Sequence, residues 1–226
     1  MERRKFVQLG TISAVLIGLS SSKAGAFAHE KLLGGGWSFG GGGGAWGAIA
    51  KDFKAGMQIL AKQSHAMLLA IGDLAEAIGL RDEAAILRTE AKNIEGKGSL
   101  SADEMDAIAA KSNKTRDLVF DKMKASTKLT IEQKKKIAQA GAKYAPALAK
   151  GVMGAIKISS AASKVGGAGT PGITDGMEVI SLAKDIPTLA PKAISFVSNA
   201  VEGGNKFFEA MREKGIETPD AIKMDL

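Results

Sequence analysis

Trp46, Ile49, Phe53, Leu60, Met67, Ile71, Leu74 and Ile78 recur along the chain at spacings of threes, fours and sevens. Side chains at those intervals share one face of an α-helix, so the stretch from Ala45 to Ile78 reads as one long amphipathic helix. Gly79 ends it, and Arg81-Asp82-Glu83 opens a second helix to about Glu95, close enough to fold back as an antiparallel hairpin. After Gly96-Lys97-Gly98, Ser101-Ala102-Asp103-Glu104 forms a capping box, in which the Ser and Glu side chains satisfy otherwise orphaned amides. The third helix it starts runs to about Ser126. Thr130-Ile131-Glu132-Gln133 repeats the box for a fourth helix, to about Val165. The glycines from Gly166 to Gly172, with Pro171, mark a turn. Thr174 is placed to cap a fifth helix to about Asp185. Pro187 then interrupts, and Pro191 suits the first turn of a sixth helix that aims Ile194, Val197, Val201, Phe208 and Met211 at the core. Residues 45–214 therefore read as an all-α antiparallel bundle of five or six close-packed helices, with a frayed tail over 215–226.

The polar positions add a second pattern. Lys136, Lys143, Lys150, Lys157 and Lys164 are spaced seven apart on the fourth helix. A seven-residue repeat drifts only ~20° per step, so these lysines form one stripe. With the stripe outward, Ala138, Gly141, Ala145, Leu148, Val152, Ala155, Ser159 and Ala162 face inward, and their small size admits a close neighbour. Pro146 faces out. The stripe is either a solvated bundle face or a contact for anionic lipid headgroups or an anionic polymer.

The N-terminal 28 residues follow a different logic. Arg3-Arg4-Lys5-Phe6 precedes a weakly apolar run from Val7 to Leu19, and Ala26-Phe27-Ala28 closes the segment. Basic, then apolar, then small-x-small is the order of a cleavable export signal, and the run falls short of the ~20 residues a membrane span needs. Glu2-Arg3-Arg4-Lys5-Phe6-Val7-Gln8 resembles the twin-arginine export motif through its arginine pair, Phe6 and Val7. The residue before the pair is Glu rather than Ser or Thr, and the later Lys is replaced by Gln8. That resemblance covers residues 1–28 and implies a bacterial periplasmic or secreted protein, exported folded; an ordinary secretory signal is the alternative. Cleavage after Ala28 takes 28 of the 226 residues and leaves 198, and the formal charge falls from +7 to +4. So mild a charge gives no reason to expect nucleic acid as a partner. There is no cysteine, which excludes disulfides, a thiol nucleophile and thiolate metal sites.

Candidate chemistry is sparse. Residues 29–44 form a glycine-rich tether interrupted by Trp37 and Phe39, with Trp46 just beyond. These aromatics could dock on a membrane interface, a partner or the protein's own groove. Gly167, Gly169 and Gly172 match G-x-G-x-x-G, but behind a helix and with Pro171 inside, the wrong setting for a dinucleotide. There are two histidines. Were His29 the mature N-terminus, its amine and imidazole could grip copper with His65 as third ligand, resembling the histidine brace of copper monooxygenases. Lys62 stands where a Glu-x-x-His di-iron motif needs a carboxylate. Asp73, Glu76, Glu83 and Glu90 read as surface charges on helices. The expected function is thus a non-enzymatic envelope protein without a cofactor, a helical binding or scaffolding module for a hydrophobic ligand, lipid surface or protein partner. The alternatives are the copper protein and a small exported enzyme. The surface expected to meet a membrane or partner comprises Trp37, Phe39, Trp46 and the five lysines.

Overall fold

Two helices begin where their side chains can replace the missing amide acceptors. Ser101 Oγ accepts from the Glu104 amide at 3.2 Å while Glu104 accepts from the Ser101 amide at 2.7 Å. Thr130 and Gln133 make the same exchange at 3.1 and 2.9 Å. The computed structural model describes residues 44–126, 128–172 and 175–218. Over these it contains α1 (Ala45–Ala77), α2 (Arg81–Ile94), α3 (Ala102–Ala125), α4 (Ile131–Val165) and α5 (Met177–Glu213), and no strand among the described residues. The fold is an all-α bundle. The export segment, Trp37, Phe39, His29 and Thr174 lie outside the described residues.

Contacts along the helices give their directions. From its start to its end, α1 meets α4 in reverse order: Asp52 pairs with Lys164, Gly56 packs on Gly154 and Ile158, and Asp73 pairs with Lys143. Gly72 and Asp73 meet Arg88 across the α1–α2 hairpin, and Gly141 meets Met211 between α4 and α5. Consecutive helices therefore alternate in direction, which leaves α3 and α5 side by side and parallel: Asp106 pairs with Lys192, and Arg116 reaches Asn199. The most extensive interface joins α1 to α4. It depends on two glycines set back to back. A Cβ on Gly56 would stand 2.7 Å from Ile158 Cγ1 and 2.8 Å from the Gly154 carbonyl, so only hydrogen fits.

All eight apolar positions expected on the inner face of the first helix are buried. On α4 the inner face is broader than expected and centred differently. Gly141, Ala145, Leu148, Val152 and Ala155 are buried, whereas Ala138 and Ala162 are half-buried and Ser159 is exposed. Ile137, Tyr144 and Ile158 take central places, because α4 must cover both α1 and α5.

The separate fifth and sixth helices are one. α5 runs unbroken through Pro187 and Pro191. Each proline removes an amide that would have bonded four residues back, an interior penalty of about 3 kcal/mol relative to Ala. Both prolines are exposed and four residues apart, so they share the solvent side of the helix. On the opposite side Ile186, Leu189, Ala190 and Ala193 are buried. Burial of that face holds the helix together where local propensity would divide it. Val197, Phe208 and Met211 reach the core as expected, while Ile194 and Val201 are half-buried at its margin.

Candidate functional site

The lysine stripe is exposed throughout, but most of it is engaged. Lys136 pairs with Glu132 one turn earlier at 2.9 Å. Lys143 reaches Asp73 at 2.7 Å, and Lys164 reaches Asp52 at 3.2 Å, both across to α1. Arg88 also bonds Asp73, at 3.0 Å. Burial by itself raises the Asp73 carboxyl, and hydrogen bonds from Lys143 and Arg88 more than offset it, leaving its pKa below the usual value. Only the middle of the stripe is uncommitted. Lys150 and Lys157 form no ion pair among the described residues, and two large apolar side chains stand between them in sequence: Met153, 57% exposed, and Ile156, 44% exposed. Positions 146, 150, 153 and 157 follow at four, three and four, so Pro146, Lys150, Met153 and Lys157 form one outward row beside Ile156.

Trp46 does not belong to any such surface. It is 5% exposed, and its indole N–H donates to the Gly169 carbonyl at 3.1 Å. The protein's own α4–α5 loop covers it. That loop carries the G-x-G-x-x-G match, and the Asp175 carboxylate accepts from the Gly172 amide at 2.8 Å. His65 is half-buried on α1. No group of three His, Cys, Asp or Glu placed to hold a metal ion occurs among the described residues.

A second feature lies inside the bundle. Arg116 of α3 is 7% exposed, and its guanidinium lies against the backbone of α5 at Gly203. Nη1 donates to the Asn199 and Ala200 carbonyls at 3.1 and 3.4 Å, and Nη2 donates to Asn113. Nε has no hydrogen-bond partner among the described residues, and neither does the buried Ser64 hydroxyl of α1. Arg116 and Ser64 line a cavity of about 20 Å³ with Met67, Ile71, Tyr144 and Phe196. Tyr144 donates to the Ala200 carbonyl at 2.9 Å and packs edge-on against Phe207 and Phe208. Burial pushes its hydroxyl pKa up, and the Arg116 charge partly opposes the rise.

Arg116, Tyr144 and Ser64 gave no signal as a group in the sequence. They come from three helices, and two of the three Arg116 acceptors are backbone carbonyls more than eighty positions away. An Arg on a helix reads as surface until its neighbours are known. The fold and these two features define an all-α protein with a basic, partly apolar outer helix face and a polar centre. Comparison with protein-family models, with curated proteins and with solved structures finds no match.

Proposed function

We propose that this chain is a non-enzymatic, exported binding module that rests on an anionic lipid surface through the outward face of α4. The observation that carries the reading is the row Lys150, Met153 and Lys157 with Ile156 beside it: two cations without ion-pair partners among the described residues, next to exposed apolar side chains. An interfacial helix needs these two things together, apolar side chains to enter the headgroup boundary and lysines to meet anionic lipid. Each Lys contributes about 1 kcal/mol near such a surface, so two lysines with partial burial of Met153 and Ile156 give weak, salt-sensitive, reversible attachment. No helix among the described residues is long and apolar enough to cross a membrane, and surface attachment requires none. The two pockets described between the helices, about 20 and 10 Å³, suit guests of about the size of water rather than a lipid chain, which favours the outer face over an internal groove.

Flotation of the protein lacking residues 1–28 tests this. It is expected to rise with vesicles of phosphatidylglycerol and phosphatidylcholine at low salt, and to stay behind with phosphatidylcholine alone. Lys150→Glu with Lys157→Glu should cut the bound fraction at least tenfold, and Met153→Ser should weaken it without changing its salt dependence. Lysines 136, 143 and 164 serve as controls, since their charge is already neutralised by neighbours. Absence of binding to anionic vesicles at low salt rejects the lipid reading and leaves an acidic protein face as the partner to seek.

A further inference from the structure

We propose that the cavity beside Arg116 is a binding site for one small monovalent anion of about chloride size. A guanidinium is always charged, and a buried charge normally has an opposite charge in contact. Among the described residues Arg116 forms no ion pair: its Nη atoms meet two carbonyls and an amide oxygen, and its guanidinium also meets the Tyr144 hydroxyl, all of them neutral. Glu202 feels the Arg116 charge through space, but it is exposed and bonded to Lys206 at 2.7 Å. That carboxylate lies in water and is already shared.

Two donors are left over at the same place. Arg116 Nε–H and the Ser64 hydroxyl are both buried and without partners among the described residues, and the two residues line the same cavity. Two unused donors and an uncompensated positive charge call for an acceptor that carries negative charge. A water molecule would satisfy the donors and leave the charge as it is; a halide does both. Met67, Ile71 and Phe196 supply apolar walls, where a low local dielectric strengthens the attraction between ion and guanidinium. At about 20 Å³, the space is of the order of one water molecule or one small ion, since one water needs roughly 10–15 Å³.

The backbone is shaped around the cation. A Cβ on Gly203 would overlap the Arg116 guanidinium, which occupies the place a side chain would take. Nothing in this site touches the outer face of α4, and its ligand is independent of the lipid reading.

The test is thermal unfolding of the full chain at constant ionic strength, with sodium chloride replacing sodium gluconate. At about 100 mM chloride, ten times a Kd of about 10 mM, the expected rise in Tm is about 3–6 °C. Ser64→Ala should lose more than half of that rise, and Arg116→Met all of it. If Arg116→Met fails to fold, Ser64→Ala decides. Crystals grown in bromide should show an anomalous peak within hydrogen-bonding distance of Arg116 Nε and Ser64 Oγ. An unchanged Tm in the wild type, a rise of equal size in Ser64→Ala, or a cavity without an anomalous peak overturns the proposal.

Discussion

Three glycines show how sharply single atoms are constrained in this bundle. Gly203→Ala drives a methyl group into the Arg116 guanidinium, and Gly56→Ala drives one into the backbone of α4. Neither neighbour can yield without giving up its own contacts, so each substitution is expected to lower stability by about 2–4 kcal/mol in urea unfolding. Gly151 is the contrast. It lies in the interior of α4, and a Cβ there would meet Met67 Cε at 3.8 Å, an ordinary contact. Gly151→Ala should therefore stabilise by about 0.5–1 kcal/mol, the helix preference for Ala over Gly. Tyr144 sets a limit at alkaline pH. Its folded pKa is raised by burial, so the stabilisation it gives is complete below about pH 10, the usual tyrosine value, and is lost as pH climbs towards the folded pKa. It is the chain's one tyrosine. Tyrosinate absorbance should accordingly appear only together with loss of helical circular dichroism, and Tyr144→Phe should flatten the alkaline fall in Tm.

At the scale of elements, what is local was legible and what is long-range was not. Both capping boxes are contacts across three residues, so Ser101 and Thr130 announce their helices without any knowledge of the fold. The inner face of α1 is equally plain, because one helix surrounded by others buries a regular series of apolar side chains. The break expected at Pro187 fails for the opposite reason. It weighs a local penalty against nothing, whereas the protein weighs it against the burial of Ile186, Leu189, Ala190 and Ala193. Removing the penalty should show its size: Pro187→Ala and Pro191→Ala are each expected to raise stability by about 1–2 kcal/mol, less than the full interior penalty because proline also restricts the unfolded chain. An unfolding midpoint left unchanged by both would mean that α5 is already relaxed around its prolines. On α4 the heptad of lysines marked the outer face correctly, but it could not say which lysines α1 would neutralise. Asp52 and Asp73 decide that, and they lie 112 and 70 positions away from their partners.

For the molecule as a whole, acid should act through carboxylates that join helices. Asp73 binds α1 to α2 and α4, and Glu104 secures the start of α3 while accepting from Lys97. In both, burial raises the carboxyl and is outweighed by hydrogen bonds to the ionised form, so both titrate below their usual range. Their contribution is present above the ordinary carboxylate pKa of about 4 and disappears as pH falls through the lower folded values. Tm should hold level from neutral pH to about pH 5 and then decline, with Asp73→Asn showing a lower plateau and a shallower decline. The pairs are partly exposed, so the effect is modest and shrinks with added salt. The clasp between Trp46 and Gly169, finally, makes the protein its own optical sensor. The chain has two tryptophans, so in a Trp37→Phe chain all indole emission comes from Trp46. Held dry against the α4–α5 loop, that indole should emit at short wavelength, and release of its N–H from the carbonyl would shift the colour towards red. A red shift that precedes the loss of helix signal on heating would reveal the front of α1 letting go of the loop while the bundle is still standing.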